Sequence, residues 1–89
     1  MKNDLSSKTI LSVFDYIVRN GEQYEQGYLY QGITAFTDFD GYTLYLQGSG
    51  VVMRFGFHNT YHLDYEQEKQ KTDFIQKIES IKHQIDHTP

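Results

Sequence analysis

The chain has 89 residues, a formal net charge of −4, 38% hydrophobic residues and no cysteine. This length suits one small domain, and the composition is too apolar for a disordered chain. The lack of cysteine excludes disulfides and thiolate metal sites, and no apolar run approaches the roughly 20 residues that a membrane span needs.

The first predicted element is a helix over residues 6–19. Its apolar residues recur at spacings of three and four, which describes one helical face: Ile10, Leu11, Phe14, Ile17 and Val18. Ser6 or Ser7 can cap the free backbone N–H groups at its start. Gly21 ends the helix, because glycine adopts a left-handed conformation at low cost. Residues 21–27 are polar and bounded by glycine, and they are predicted to form a loop.

Four strands are predicted next, because aromatic and β-branched residues alternate with polar ones between turn signals. The turns are the Asp38–Gly41 segment and the Gly48–Gly50 segment. The predicted strands are residues 28–37, 42–47, 51–57 and 60–65. From residue 66 the apolar period changes to 3.6, which predicts a helix over 66–86 with Phe74, Ile78, Ile81 and Ile85 on one face.

The strand registers must agree on one core face, since a shift of one residue turns a strand inside out. Three pairings satisfy this condition, and they join Ala35 to Leu44, Leu46 to Val51, and Phe55 to Leu63. The sequence therefore predicts a two-layer α+β domain, residues 1–89. It contains a four-stranded antiparallel meander of order 1-2-3-4 with both helices on one sheet face.

The other face of this predicted sheet is open and rich in tyrosine. Its middle row is expected to hold Phe36, Thr43, Arg54 and Asp64, with Tyr45 in the next row and Tyr28, Tyr30 and His62 towards the rim. Exposed patches of this kind mark interaction sites, and Tyr and Arg are enriched at binding hot spots. The other interpretation is that Tyr suits a half-exposed strand through its β-propensity alone.

Arg54 is the only Lys or Arg between residues 21 and 68, a segment with seven acidic residues. The favoured interpretation is a cross-strand pair with Asp64, and the alternative is an anchor for an anionic ligand or a partner's carboxylate. One cation cannot cover many phosphates, so we expect no nucleic-acid binding. The acidic segment also admits a weaker hypothesis, an inhibitor that mimics nucleic acid.

Histidines and acidic residues offer three weak metal patterns. His58, His62 and Asp64 supply two imidazoles and a carboxylate but no evident third protein ligand, so ordinary strand and turn positions are favoured. His83 and His87 are interpreted as exposed histidines near the end of the last helix. The segment 38–41 resembles the start of a calcium loop, but Ser49 stands where a glutamate is required, so it is interpreted as a hairpin turn. No cofactor is expected.

Catalysis is not expected either. The chain has no cysteine nucleophile, and Ser49 lies in a Gly-Ser-Gly turn without the strand-to-helix context of a nucleophile elbow. The N-terminus carries Asp4 and no long apolar stretch, so we expect no signal peptide and a cytoplasmic protein without membrane contact.

The segments FGFHNTYHLDYE (residues 55–66) and TDFDGYTLYL (residues 37–46) resemble a small uncharacterised family of gammaproteobacterial proteins, a domain of unknown function. The resemblance covers most of the chain, implies a bacterial cytosolic origin, and carries over no activity and no functional residues.

The sequence thus leads to two hypotheses. The first is a non-enzymatic interaction or regulatory protein that binds a protein, including a second copy of itself, through the open face with Tyr28, Tyr30, Phe36, Tyr45 and Arg54. The alternative is a small-ligand or metal-binding sensor centred on Arg54, His62 and Asp64.

Overall fold

The computed structural model describes residues 5–39, 41–56 and 60–87. In these ranges two helices flank six strands. In chain order the elements are α1 (Ser7–Asn20), β1 (Glu22–Tyr24), β2 (Gly27–Tyr30), β3 (Ile33–Thr37), β4 (Leu44–Gly48), β5 (Val51–Gly56), β6 (Thr60–Asp64) and α2 (Glu68–Asp86). All strand pairs are antiparallel, in the order β1-β2-β3-β4-β5-β6. The predicted α+β class with a helix at each end is confirmed.

The prediction of four strands is wrong, because two tight turns divide the segment before β4. Gln31 and Gly32 both have positive φ, 50° and 83°, and form a two-residue turn between Tyr30 and Ile33. Such turns match the twist of their strands and favour glycine. Glu25 at φ 53° begins a second tight turn between β1 and β2. The expected strand 28–37 is therefore a hairpin, and the expected loop 21–27 contains β1.

The three predicted registers are each wrong by two residues. Ala35 pairs with Leu46 instead of Leu44, and Phe55 pairs with Tyr61 instead of Leu63. Val51 pairs with Gly48, because Ser49 and Gly50 (φ 54° and 79°) form a two-residue turn in place of the expected four-residue loop. A shift of two residues keeps every side chain on its face. The assignment of residues to the two faces therefore survives in β3, β4, β5 and β6.

Both helices pack on one sheet face and form one apolar core with it. Helix α1 contacts α2, β2 and β3, whereas α2 also contacts β5. The fully or nearly fully buried side chains are Leu5, Ile10, Val13, Ile17, Ile33, Ala35, Leu46, Val51, Met53, Phe55, Phe74, Ile75, Ile78 and Ile81. None of the described residues forms a helix long and apolar enough to cross a membrane.

Local capping fixes where each helix begins. The Ser6 side chain accepts a hydrogen bond from the backbone N–H of Thr9 at 3.1 Å, which satisfies a donor in the first turn of α1. The Gln70 side-chain oxygen accepts from the backbone N–H groups of Glu66 and Gln67, each at 3.0 Å, ahead of α2. Polar side chains therefore satisfy backbone donors at both helix starts.

Replacement of Ser6 by Ala is expected to lower the free energy of unfolding by about 1 kcal/mol, since the Thr9 N–H loses its side-chain acceptor. Urea denaturation measures the change. The Ser7→Ala variant is the matched control, because Ser7 is the first helical residue and not the cap. Equal losses in the two variants would contradict the cap assignment.

Candidate functional site

The sheet face opposite the helices carries two rows of side chains that run across the strands. The first row, called the aromatic row, is set by the pairs Phe36–Tyr45, Tyr45–Arg54 and Arg54–His62. Gly27 lies beside Phe36 and pairs with Tyr24, which extends the row to the first strand. The aromatic row comprises Tyr24, Gly27, Phe36, Tyr45, Arg54 and His62.

The second row lies parallel to the aromatic row and is more polar. Its registers bring together Glu22, Leu29, Thr34, Gln47, Val52 and Asp64. The acidic side chains occupy the two ends of this row, on the edge strands β1 and β6, and apolar and neutral residues fill its middle. The open face is thus an apolar centre with acidic groups at its edges.

Phe36 and Tyr45 form the centre of the aromatic row. Their rings stack almost in parallel, with centroids 4.9 Å apart and an interplanar angle of 3°. Both side chains are half-buried. Cross-strand aromatic pairs contribute about 0.5–1.5 kcal/mol beyond the area they bury, so the stack holds both rings in place. The aromatic surface at the centre of the row is therefore preformed.

A cleft lies on each side of this stack. One, of about 230 Å³, is bounded by Tyr24, Thr34, Phe36 and Gln47. The other, of about 360 Å³, is lined by Arg54 together with Thr43, Tyr45, Gly56, Thr60, Tyr61 and His62. The second cleft brings a guanidinium and several hydroxyl groups to one place, and these are donors suited to an anionic oxygen.

Arg54 is exposed and forms no hydrogen bond or ion pair with any residue that the structure describes. The predicted pair with Asp64 is wrong, because the two-residue register shift places Asp64 opposite Val52 and His62 opposite Arg54. The Asp64 carboxylate instead lies 3.4 Å from the His62 Nε2 atom. The Arg54 guanidinium is consequently available to a ligand.

The expected middle row also changes in its members. The sequence predicts Thr43 between Phe36 and Arg54, but Tyr45 occupies that position and Thr43 lies one row further along, beside Gly56. The aromatic row therefore has more apolar surface at its centre than the sequence predicts. Tyr24, whose side chain is 47% exposed, extends this surface onto the first strand.

Tyr28 and Tyr30 lie on the opposite face, against the core, and their predicted place on the open face is wrong. The turn after Tyr30 pairs it with Ile33, so it shares the face of that buried residue. The Tyr30 hydroxyl donates to the Gln84 Oε1 atom at 2.8 Å, and its ring packs edge-on against Tyr16. The hydrogen bond with Tyr16 raises the pKa of Tyr30, with burial adding to the effect.

The candidate metal residues do not assemble into a site among the described residues, where no group of three metal-ligating side chains occurs. His58 lies outside the described residues. The His83 and His87 rings lie 4.1 Å apart at the end of α2. The Asp38 carboxylate accepts the backbone N–H groups of Gly41 and Thr43 at 3.0 and 3.3 Å, the bonding of a turn residue.

Comparison with known proteins gives a family and no function. A family model described as "Protein of unknown function (DUF3081)" matches residues 5–88, which confirms the resemblance to a domain of unknown function. No curated protein and no solved structure matches the chain.

Proposed function

The chain belongs to this family of proteins of unknown function, and from its geometry we propose that it is a non-enzymatic protein-binding module. The open sheet face would hold a segment of another protein. The observation that carries the proposal is the aromatic row, which crosses all six strands on the face that neither helix covers.

Apolar contact would supply most of the binding free energy. The Phe36–Tyr45 stack is rigid, and Tyr24, Leu29 and Val52 extend its apolar area in both rows. Rigid aromatic side chains lose little conformational freedom when a partner covers them. Tyrosine and arginine are also the residue types enriched at binding hot spots.

Arg54 would set the chemistry of the partner. An exposed guanidinium beside the Tyr45 ring can bind a carboxylate with two parallel hydrogen bonds, and the hydroxyl groups of Thr43 and Tyr45 line the same cleft. We therefore infer a partner segment with an Asp or Glu side chain close to an apolar one. Residues 21–68 hold one Lys or Arg against seven acidic residues, which disfavours a nucleic-acid partner. We place this binding in the cytoplasm, because a chain without cysteine needs no oxidising compartment.

The cleft of about 360 Å³ at Arg54 supports a second candidate, a sensor for a small anionic ligand. The sequence predicts a centre of Arg54, His62 and Asp64. In this second candidate Arg54 and His62 remain in the cleft, whereas the Asp64 carboxylate lies opposite Val52 and 3.4 Å from the His62 Nε2 atom. The two candidates differ in size of ligand. A small carboxylate would need only the cleft at Arg54, and at 100 times its Kd it would raise the free energy of unfolding by about 2.7 kcal/mol. A protein partner would need the whole aromatic row.

Site-specific photocrosslinking in the native host tests the protein-binding proposal. A photoreactive phenylalanine analogue at Gln47, which is exposed in the second row and lines the cleft beside Phe36, is expected to give a discrete adduct with one other protein. The same analogue at Gln76, exposed on α2, is the control and is expected to give none. Mass spectrometry of the adduct should identify a peptide with an acidic residue.

The double variant Tyr45→Ala with Arg54→Ala is expected to reduce the Gln47 adduct at least tenfold, because it removes the stack and the guanidinium. The fold is expected to persist, since Arg54 is exposed and Tyr45 is only half-buried. An undiminished adduct in the folded double variant would refute the proposal. An adduct of twice the chain mass would instead identify a second copy as the occupant.

A further inference from the structure

An aromatic side chain stands in solvent at the turn between β3 and β4. Phe39 is fully exposed, and Tyr42, three residues later in the chain, is 83% exposed. The turn is nevertheless well bonded. The Asp38 carboxylate accepts two backbone N–H groups, and the backbone of Asp38 bonds to those of Gly41 and Thr43 at 3.1 Å each. Phe39 therefore projects into solvent from a turn whose described residues are hydrogen-bonded to one another, and water contact with its ring is unfavourable.

An apolar pocket of about 220 Å³ opens near the same turn, between α1 and the β2–β3 hairpin. Its walls include Phe14, Val18, Tyr28, Ala35, Phe36 and Thr37. Leu11, one helical turn before Phe14, is 44% exposed and continues the apolar stripe of α1 outside the pocket. A cavity of about 150 Å³ is large enough for benzene, so this pocket can take a phenyl ring.

We propose that the Phe39 ring of one copy fills this pocket in a second copy, and that the second copy's Phe39 fills the first copy's pocket. The pocket of the same copy is not the destination of the ring, because Phe39 is fully exposed in the folded chain. Phe36 borders both this pocket and the aromatic row, but Phe39 and helix α1 have no part in the proposed function, so different variants test the two proposals.

Because the ring and the pocket are close together in the chain, we expect a closed dimer of two copies. Thr37, in the pocket wall, is only two residues from Phe39. When the ring and the pocket are neighbours on one surface, a two-fold axis lets each copy place its ring in the other's pocket at the same time. No ring and no pocket then remain free to bind a third copy. Distant complementary parts would give an open chain of copies instead.

Charge favours the same pairing. In the sequence, residues 38–42 carry two acidic residues and no base, whereas α1 carries Lys8 and an ion pair in which the Arg19 Nε atom lies 2.9 Å from the Asp15 carboxylate, so its net charge is +1. The acidic turn of one copy therefore approaches the net positive helix of the other, which raises the rate of encounter. The patch is small compared with the roughly 800 Å² per partner of a standard interface, so the dimer is expected to be weak and concentration-dependent.

Sedimentation equilibrium between about 10 µM and about 1 mM tests the dimer, a range that covers the affinities of small interfaces. The wild-type chain is expected to pass from monomer to dimer in this range. Phe39→Ala removes both rings from the dimer, and each ring is expected to contribute about 30-fold to the affinity, so this variant stays monomeric. The fold is expected to tolerate this change, because the Phe39 side chain is fully exposed.

Mixing two variants separates the ring from the pocket. Val18→Trp fills the pocket and keeps the ring, so this variant alone is expected to be monomeric as well. Should it melt early, Gln26→Trp covers the same pocket from an exposed turn position. A mixture of Phe39→Ala and a pocket-filled variant restores one of the two contacts and is expected to associate about 30-fold more tightly than either variant alone.

Three results would overturn the inference. A wild-type chain that stays monomeric at about 1 mM has no such dimer. A Phe39→Ala variant that dimerises like the wild type shows that another surface is responsible. A mixture that associates no better than its components shows that Phe39 and the pocket do not meet. The Gln76→Ala variant, altered on the exposed side of α2, is the control and is expected to dimerise normally.

Discussion

Replacement of Phe74 by Ala is expected to lower the free energy of unfolding by about 3–5 kcal/mol. Phe74 is completely buried, in the helix that packs against β5 and α1. The truncation removes most of a large side chain from the core and leaves a cavity that surrounding backbone can fill only in part. A domain of this size has a stability of about 5–10 kcal/mol, so the variant should melt near ambient temperature. Urea denaturation followed by circular dichroism measures the loss.

Two controls separate the cavity from other effects of the change. Phe74→Leu keeps most of the volume and is expected to lose less than half as much free energy. Gln76→Ala, two residues along the same helix but exposed, is expected to change it by less than about 0.5 kcal/mol. A loss below about 1.5 kcal/mol for Phe74→Ala would mean that α2 is not packed as described.

The helices and the division into two faces follow from the sequence because the signals are periodic. Phe74, Ile78 and Ile81 recur at helical spacing and are all fully buried in α2. Along β5, Val51, Met53 and Phe55 alternate with more exposed residues, as a strand with one buried face requires. These patterns involve many residues at once, so local irregularities do not disturb them.

The registers do not follow from the same signals. Alternation has a period of two, and a pairing shifted by two residues buries the same face equally well. Only turn geometry distinguishes the alternatives, and between β4 and β5 it depends on Ser49 with Gly50, which both adopt positive φ. The division of the expected strand 28–37 depends in the same way on Gln31 with Gly32. A Gln-Gly pair is a weaker turn signal than Asn-Gly, so the sequence predicts one strand where the chain forms a hairpin.

These local turns decide the composition of the candidate site. The turn at Gln31 moves Tyr28 and Tyr30 to the core, and the shift between β5 and β6 exchanges Asp64 for His62 beside Arg54. Phe36, Tyr45 and Arg54 stay on the open face because the registers of their strands shift by two residues, which leaves each side chain on the same face. Tyr24 could have been found from the polar segment 21–27, where a tyrosine between Glu residues indicates an edge strand.

Replacement of Gly27 by Ala is expected to affect both the stability of the fold and the aromatic row of the candidate site. A Cβ atom at Gly27 would collide with the Ala35 backbone oxygen and lie 2.7 Å from the Phe36 Cβ atom, so β2 and β3 would have to separate. We expect a loss of about 1–3 kcal/mol in the free energy of unfolding, as for other substitutions that overfill a packed site. Displacement of Phe36 should also weaken its stack with Tyr45, and nuclear Overhauser effects between the two rings measure this change.

Gly41→Ala is the matched comparison, because Gly41 has positive φ, 80°, but an added Cβ would have no atom of the described residues within 4 Å, its chain neighbours apart. Its cost is purely conformational, about 1–2 kcal/mol, and the Phe36–Tyr45 stack should be unchanged. Both glycine variants thus lose stability, but only Gly27→Ala should reduce the crosslink from Gln47. If Gly27→Ala disturbs the ring contacts and leaves that crosslink intact, binding does not depend on the aromatic stack. If both variants reduce the crosslink equally, the loss follows stability alone and the open face has no special part in it.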